Sequence, residues 1–273
     1  MRLAALDAAL RDAGSLLIAF SGGADSAFLL AAATRALGPA DVVAATAVSS
    51  SLPRDELLAA ASFADSLGVR HLTPATDEMS RDGYRANAGD RCYFCKAELL
   101  DVLRPVAASH GLAHVATGTN ADDAKAGFRP GIRAAAERGA LTPLLDAGFT
   151  KDDVRRVSRS WGLVTWDKPA AACLSSRIAY GIEVTPQRLS RVERAELALR
   201  AALSRAGIVV RDVRVRDLGD RARVEVDPAA VDAVAARPDV LAVIEGFVDV
   251  EVDPRGFRSG ALNELLAEPA RWR

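Results

Sequence analysis

Three cysteines and one glycine-rich hexapeptide concentrate the chemistry this sequence can do. The hexapeptide, SGGADS from Ser21 to Ser26, has the makings of a phosphate site. Gly22 and Gly23 let the backbone turn tightly and bring bare N–H groups against an anion. Ser21 and Ser26 add hydroxyl donors, and a helix opening there would add the positive end of its dipole. Asp25 would repel phosphate directly, so its sensible role is to hold a Mg²⁺ ion that bridges phosphate oxygens. The GxxxxGK[ST] spacing is missing, so this is not a Walker-type loop. The bland alternative is a serine–glycine turn between a strand and a helix. Cys92 and Cys95 form a CxxC pair in RCYFCK, and Cys173 stands in ACLSSR. Three thiols are too few, and of the wrong parity, for a disulfide scaffold. In a reducing compartment such cysteines serve chemistry or metal binding.

A phosphate loop works only between a strand and a helix, and the flanking residues supply both. LLIAF (Leu16 to Phe20) is a short buried-strand signal, and AFLLAAATRAL after the hexapeptide is a helical run. VVAATAV is the next strand, PRDELLAAASFADSLGV the next helix with Pro53 in its first turn, and a strand fits near Val69 to Leu72. A helix after RCYFCK to about His110 and the strand AHVATG follow. Strand and helix in repetition imply an α/β fold with a parallel sheet. Thr150-Lys-Asp-Asp opens a further helix with a capping-box pattern. Composition shifts near Gly181, which divides the chain into residues 1–180 and a small α+β domain, 181–273. That domain is expected to hold a helix from Pro186 to Ala206, two strands in VRVRDLGDRARVEV joined at Leu218-Gly219-Asp220, and a strand in FVDVEV.

At 273 residues the chain can hold one large domain and a smaller one. A formal net charge of −1 argues against non-specific nucleic-acid binding as the main task. No stretch approaches the roughly 18 apolar residues of a membrane span. MRLAALDAALRDAG reads as an amphipathic helix rather than a cleaved signal, so the expected compartment is the cytoplasm.

SGGADS resembles the signature of the PP-loop ATP pyrophosphatases, which cleave ATP between the α and β phosphates and activate an oxygen for attack by nitrogen or sulfur. GDRCYFCK, ATGTNADD with FRPGIRAAAERG, and WDKPAAACLSSRIAYG together resemble the LarE family, from about Ser15 to Glu225. Those proteins are ATP-dependent sulfur transferases that make the nickel-pincer nucleotide cofactor. The resemblance implies a PP-loop (adenine nucleotide α-hydrolase-like) domain that adenylates a carboxylate of a pyridinium dicarboxylate mononucleotide. Sulfur then displaces AMP to give a thiocarboxylate. It also implies a homo-oligomer.

Within that resemblance Cys173 matches the sulfur-bearing cysteine. Its thiolate is the reactive form; Arg177 is expected to stabilise either that thiolate or the substrate phosphate, with Ser176 donating a hydrogen bond alongside. In some members the cysteine is sacrificed and becomes dehydroalanine. Cys92, Cys95 and Cys173 also make three thiolates, one fewer than saturates a [4Fe–4S] cluster, so a cluster could hold and pass on sulfide. Half a zinc site or a redox pair is the third option for CxxC, and a buried structural thiol the plain one for Cys173. Gly118, Asn120 and Asp123 stand at the carboxyl end of a later strand, where parallel sheets build ligand crevices. The resemblance assigns them to the nucleotide site; composition alone gives a polar turn. Arg129 and Arg133 suit either an anion or a solvated helix face. Alternation sets Val213 and Val215 on one face of a strand with Arg214 and Arg216 on the other, to grip a phosphate or to face solvent. The resemblance implicates that pair, and Glu196 upstream, in substrate binding at subunit contacts.

Rival readings are a tRNA thiolase, an amide-forming ligase and a nucleotide-binding regulatory module. The near-neutral charge and lack of an RNA-binding appendage oppose the first. No glutaminase segment supports the second, and intact Asp25 and Cys173 oppose the third.

Overall fold

The computed structural model describes residues 1–125, 130–169 and 172–266. The chain divides into two compact units, Met1–Arg81 with Asp90–Ala171, and Asp82–Gly89 with Ala172–Arg271.

Unit 1 begins with helix α1 (Arg2–Ala13), strand β1 (Leu16–Ala19), helix α2 (Ala24–Leu37), strand β2 (Val42–Ala45), helix α3 (Arg54–Ser66) and strand β3 (Arg70–Leu72). The short helix α4 (Asp82–Arg85) lies in the segment assigned to unit 2. The chain then returns through α5 (Arg91–Ser109), β4 (His114–Thr117), α6 (Ala121–Lys125), α7 (Pro130–Glu137), α8 (Pro143–Asp146) and α9 (Lys151–Ser160). The four strands form an all-parallel sheet in the order β3-β2-β1-β4, with Leu16 opposite both Val42 and His114. All four residues of β1 are buried, and their alternation splits them between two layers. Leu16 and Ile18 pack with Phe28, Leu29 and Phe149 on one face, whereas Leu17 and Ala19 pack with Leu100 and Leu103 of α5 on the other. Helix α9 starts with the capping box expected at Thr150: its side chain accepts from the Asp153 N–H, and Asp153 reciprocates.

Unit 2 carries helix α10 (Pro186–Arg205) and a sheet ordered β5-β6-β7. Strands β5 (Val213–Asp217) and β6 (Arg221–Val226) form the expected antiparallel hairpin, and β7 (Asp249–Val252) pairs parallel to β6. Ala195, Leu199 and Leu203 of α10 pack on Val213, Val215 and Val224.

Two placements differ from the sequence expectation. RCYFCK does not precede a helix; it forms the first turns of α5, with Arg91 as the first helical residue. Unit 2 begins at Ala172 rather than near Gly181 and takes in residues 82–89. The reason is local: the buried Asn87 amide donates to the carbonyls of Ala179 and Ile182, both at 2.8 Å. No helix among the described residues is long and apolar enough to cross a membrane.

Candidate active site

The order β3-β2-β1-β4 makes β1 the switch point, with later strands added first on one side and then on the other. In open parallel sheets the crevice outside the strand carboxyl ends at such a point is where ligands bind. Here it holds the loop after β1 and the loop after β4. Gly22 adopts φ of 71°, a conformation that favours glycine, and Gly23 is the N-cap of α2, with no side chain capping it. The first N–H groups of α2 are thereby left for an outside acceptor. Ser26 Oγ donates to Gly23 O at 3.1 Å and meets Ser21 Oγ at 3.1 Å, bracing the turn. Gly118, from the second loop, comes so close that a Cβ there would lie 2.8 Å from Ser26 N. Asn120 is fully buried, and its Oδ1 accepts from the N–H groups of Asp122 and Asp123 at 2.9 and 3.1 Å. That cap fixes the start of α6 and with it Asp123.

A cavity of about 450 Å³ lies over these loops. It is lined by apolar residues, Phe20, Ala45, Leu52 and Leu99 among them, and by the charged side chains of Asp25, Asp123, Lys96, Lys151, Arg155 and Lys168. Burial, and then the neighbouring Asp123, hold the Asp25 carboxyl above its usual range, against the opposing pull of Lys151, Asn120 and Arg155. Burial likewise lowers the Lys96 ammonium, opposed by Cys95, Cys92 and Asp123. Lys151 Nζ lies 3.4 Å from Asp123 Oδ1. Sequence reasoning picked out Ser21, Gly22, Gly23, Asp25, Ser26, Gly118, Asn120 and Asp123, and the structure brings all eight to these two loops. It missed the four cations. Lys96 and Lys168 stood inside RCYFCK and WDKPA, so adjacency to those motifs was the available signal; Lys151 and Arg155 offered none beyond lying on one helix.

Cys92 is exposed and Cys95 half-buried, three residues apart on the first turn of α5. Cys173 belongs to unit 2 and is the N-cap of a 3₁₀ turn, Leu174–Arg177. Among the described residues no three His, Cys, Asp or Glu side chains form a group able to hold a metal ion. Cys173 Sγ lies 2.9 Å from the hydroxyl of the buried Ser175, a neighbour the sequence reading passed over. Ser176 and Arg177 are used differently from expectation. Ser176 Oγ donates to the Cys173 carbonyl at 2.7 Å, not to its sulfur. Arg177 is buried, donates to the carbonyls of Ala172 and Cys173 at 2.5 and 3.0 Å, and forms a two-pronged pair with Glu196 at 2.9 and 3.0 Å. A planar guanidinium can serve both, and it fixes the backbone that carries the thiol.

Arg214 and Arg216 do not form a solvated face: both are about 6% exposed. Arg216 donates to Glu225 Oε2 at 2.6 Å and to Ser176 O at 3.2 Å. Arg214 lies over the Phe257 ring at 5.1 Å, and burial together with Arg177 pushes its guanidinium down to about 10. Arg133 is largely exposed and stacks on the Tyr93 ring at 4.6 Å, whereas Arg129 lies outside the described residues, as do Ala170 and Ala171 of the KPAAACLSSR motif.

A parallel sheet with a glycine-rich loop at its switch point, and a small mixed-sheet unit after it, defines an α/β protein of the PP-loop kind. No family model matches the chain. It is 35% identical over 268 residues to the pyridinium-3,5-bisthiocarboxylic acid mononucleotide synthase of Lactiplantibacillus plantarum, covering 97% of this chain and 95% of that protein. It is also 42% identical over 257 residues to an uncharacterized protein of Synechocystis, covering 92% of this chain and 93% of that one. An uncharacterized protein of Methanocaldococcus jannaschii is 26% identical over 175 residues, covering 63% of this chain and 66% of that one. The chain belongs to the LarE family.

Proposed function

We propose that this protein is an ATP-dependent sulfur transferase that converts a carboxylate of pyridinium-3,5-biscarboxylic acid mononucleotide into a thiocarboxylate. The observation that carries this reading is the kinship, along 97% of the chain, with a synthase named for the bisthiocarboxylic acid product. A free carboxylate is a poor electrophile because its leaving group would be oxide. Attack of a carboxylate oxygen on the α-phosphorus of ATP forms a C–O–P linkage and expels pyrophosphate. The loop N–H groups with Lys96, Lys151, Arg155 and Lys168 suit the charge on the leaving group. Mg²⁺ fits the carboxylates of Asp25 and Asp123, whose repulsion it would relieve while it neutralised phosphate oxygens. A sulfur nucleophile then attacks the carbonyl carbon. The C–S bond forms, the C–O bond to AMP breaks, and AMP leaves with the electron pair.

For the sulfur, the donor set comprises three free thiols, none of them fully buried. The described residues form no ready metal group, so a [4Fe–4S] cluster on Cys92, Cys95 and Cys173 rests on the LarE kinship and the count of thiols; it would supply bound sulfide as the nucleophile. The sacrificial route needs Cys173 alone: its thiolate is acylated, its Cα–H proton is removed, and Cβ–S cleavage leaves dehydroalanine. Arg177 and Ser176 hold the backbone of Cys173 in either case.

The test is anaerobic turnover with ATP, Mg²⁺, the biscarboxylate nucleotide and sulfide, followed by mass spectrometry of small molecules and of the intact protein. Wild type should release pyrophosphate and give the thiocarboxylate with unchanged protein mass. Cys173→Ser should still form the acyl adenylate but no thiocarboxylate. Pyrophosphate release without any adenylate would sink the activation step. Loss of hydrogen sulfide from wild-type protein would replace the cluster by the sacrificial route.

A further inference from the structure

Lys168 reaches the phosphate loop from a segment far along the chain. Its Nζ donates to Gly22 O at 3.0 Å and to Glu56 Oε2, on α3, at 2.6 Å. Neither side chain is a loose surface group: Lys168 is 21% exposed and Glu56 26%. Lys168 lines the same cavity as Ser21, Gly23 and Asp25.

The contact with a backbone carbonyl fixes more than one atom. In a trans peptide the C=O and the N–H point to opposite sides. Holding the Gly22 carbonyl toward Lys168 turns the Gly23 N–H the other way, into the loop, where it donates to Ser21 Oγ at 3.4 Å, a long bond that an anion can displace. Gly22 and Gly23 carry no Cβ to resist a flip of the peptide between them. Without an anchor that peptide would sample both orientations, and only one presents an N–H to an anion in the loop. The ammonium also has three N–H donors, of which Gly22 and Glu56 take two. Glu56 offsets its charge while no anion is present, and an arriving phosphate competes for it.

We propose that Lys168 is the positioning residue of the phosphate loop: it locks the Gly22–Gly23 peptide with its N–H toward the anion and adds a cation, countered by Glu56, for the pyrophosphate group. The inference rests on the nucleotide reading of the cavity and assigns within it a residue that neither motif nor fold class had marked.

Titration calorimetry of the full chain with two probes, magnesium pyrophosphate and adenosine, separates this role from a merely structural one. Pyrophosphate carries the charge that the loop and Lys168 would meet, whereas adenosine carries no phosphate and uses the apolar lining of the cavity. Lys168→Met should weaken pyrophosphate binding about 10- to 100-fold, the range for losing a charge-assisted hydrogen bond. Adenosine affinity should stay within about twofold. Glu56→Gln keeps a hydrogen-bond acceptor but removes the competing charge, so it should tighten pyrophosphate binding a few-fold. Equal losses for both probes, or none for pyrophosphate, in Lys168→Met would overturn the assignment. If that variant does not fold, Glu56→Gln decides: unchanged or weaker pyrophosphate binding overturns it. Wild type that binds neither probe would instead bring down the nucleotide reading of the cavity itself.

Discussion

The two units handle charge in opposite ways. In unit 1, Asp25, Asp123, Lys96, Lys151, Arg155 and Lys168 face a cavity of about 450 Å³, and Asp25 bears the strain of burial beside a second carboxylate. In unit 2, Arg177, Glu196, Arg216 and Glu225 are buried against one another and against backbone carbonyls. On the nucleotide reading proposed above, the first set meets charges that arrive with a ligand. The second set is paired within the unit, with Arg216 Nε left without a hydrogen-bond partner, and it holds the Cys173 and Ser176 carbonyls in place. A carboxylate crowded by burial and by a second carboxylate, as at Asp25, costs stability and suits a binding site; paired buried charge suits a scaffold that fails when one partner is removed. Substitutions in the two units should therefore separate activity from stability.

The largest expected effect is at Asp25. Asp25→Asn loses the anionic ligand for Mg²⁺, and pyrophosphate release should fall by at least about 100-fold. Stability should move the other way. The folded-state pKa is raised above the ordinary 3.8, so this carboxyl contributes stability below that value and loses it as pH rises through the folded-state pKa. Removing the charge should make the variant more stable than wild type at neutral pH. The advantage should fade as pH falls through the raised pKa toward 3.8. Thermal melts across that window, beside a pyrophosphate assay, check both halves. A variant that loses activity and stability together would erase the contrast.

Unit 2 predicts the reverse. Arg216→Met leaves Glu225, which is 1% exposed, without the guanidinium that lies 2.6 Å away. Breaking a buried pair from one side costs roughly 3–5 kcal/mol, readable in denaturant unfolding. Arg216→Met with Glu225→Leu should recover most of that loss. A double variant no better than the single one would mean that these charges are held for a ligand, as proposed for unit 1.

This division explains what the sequence could and could not tell. Strand β1, the loop, helix α2 and the capping box at Thr150 are local patterns, carried by runs of neighbouring residues. Their positions followed from period and punctuation alone. The hairpin was equally legible in its register, with Val213 and Val215 on one face and Arg214 and Arg216 on the other. What alternation cannot say is what covers the second face, and here Ser176, Glu225 and Phe257 bury it. What Lys168 holds was illegible for the same reason, because its partners Gly22 and Glu56 lie 146 and 112 residues away in the chain. The motif containing Cys173 pointed to a thiol but not to the use of Arg177, whose guanidinium is occupied by Glu196 and two carbonyls.

The smallest expected effect concerns the contact between the two loops of unit 1. A methyl group at Gly118 would sit 2.8 Å from Ser26 N and 2.9 Å from Ser26 Cα, both backbone atoms at the start of α2. Neither can swing aside as a side-chain tip would, so the loop after β4 must move away from the phosphate loop. Overpacking of this kind costs about 1–3 kcal/mol. Because the displaced loop carries Asn120 and Asp123, Gly118→Ala should weaken magnesium pyrophosphate binding as well as lower the melting temperature. Gly131 provides the control inside the same unit. It is a helical glycine of α7 without positive φ, and a Cβ there would meet only Cys92 O at 3.5 Å and Lys96 Cβ at 3.7 Å. Gly131→Ala should be neutral or stabilising by up to about 1 kcal/mol, since alanine restricts the unfolded chain and favours the helix. Calorimetric melts and pyrophosphate titrations of the two variants side by side decide the matter. If Gly118→Ala behaves like Gly131→Ala, the two loops are not braced against each other, and the position of Asp123 beside Asp25 must be set by α6 and its Asn120 cap alone.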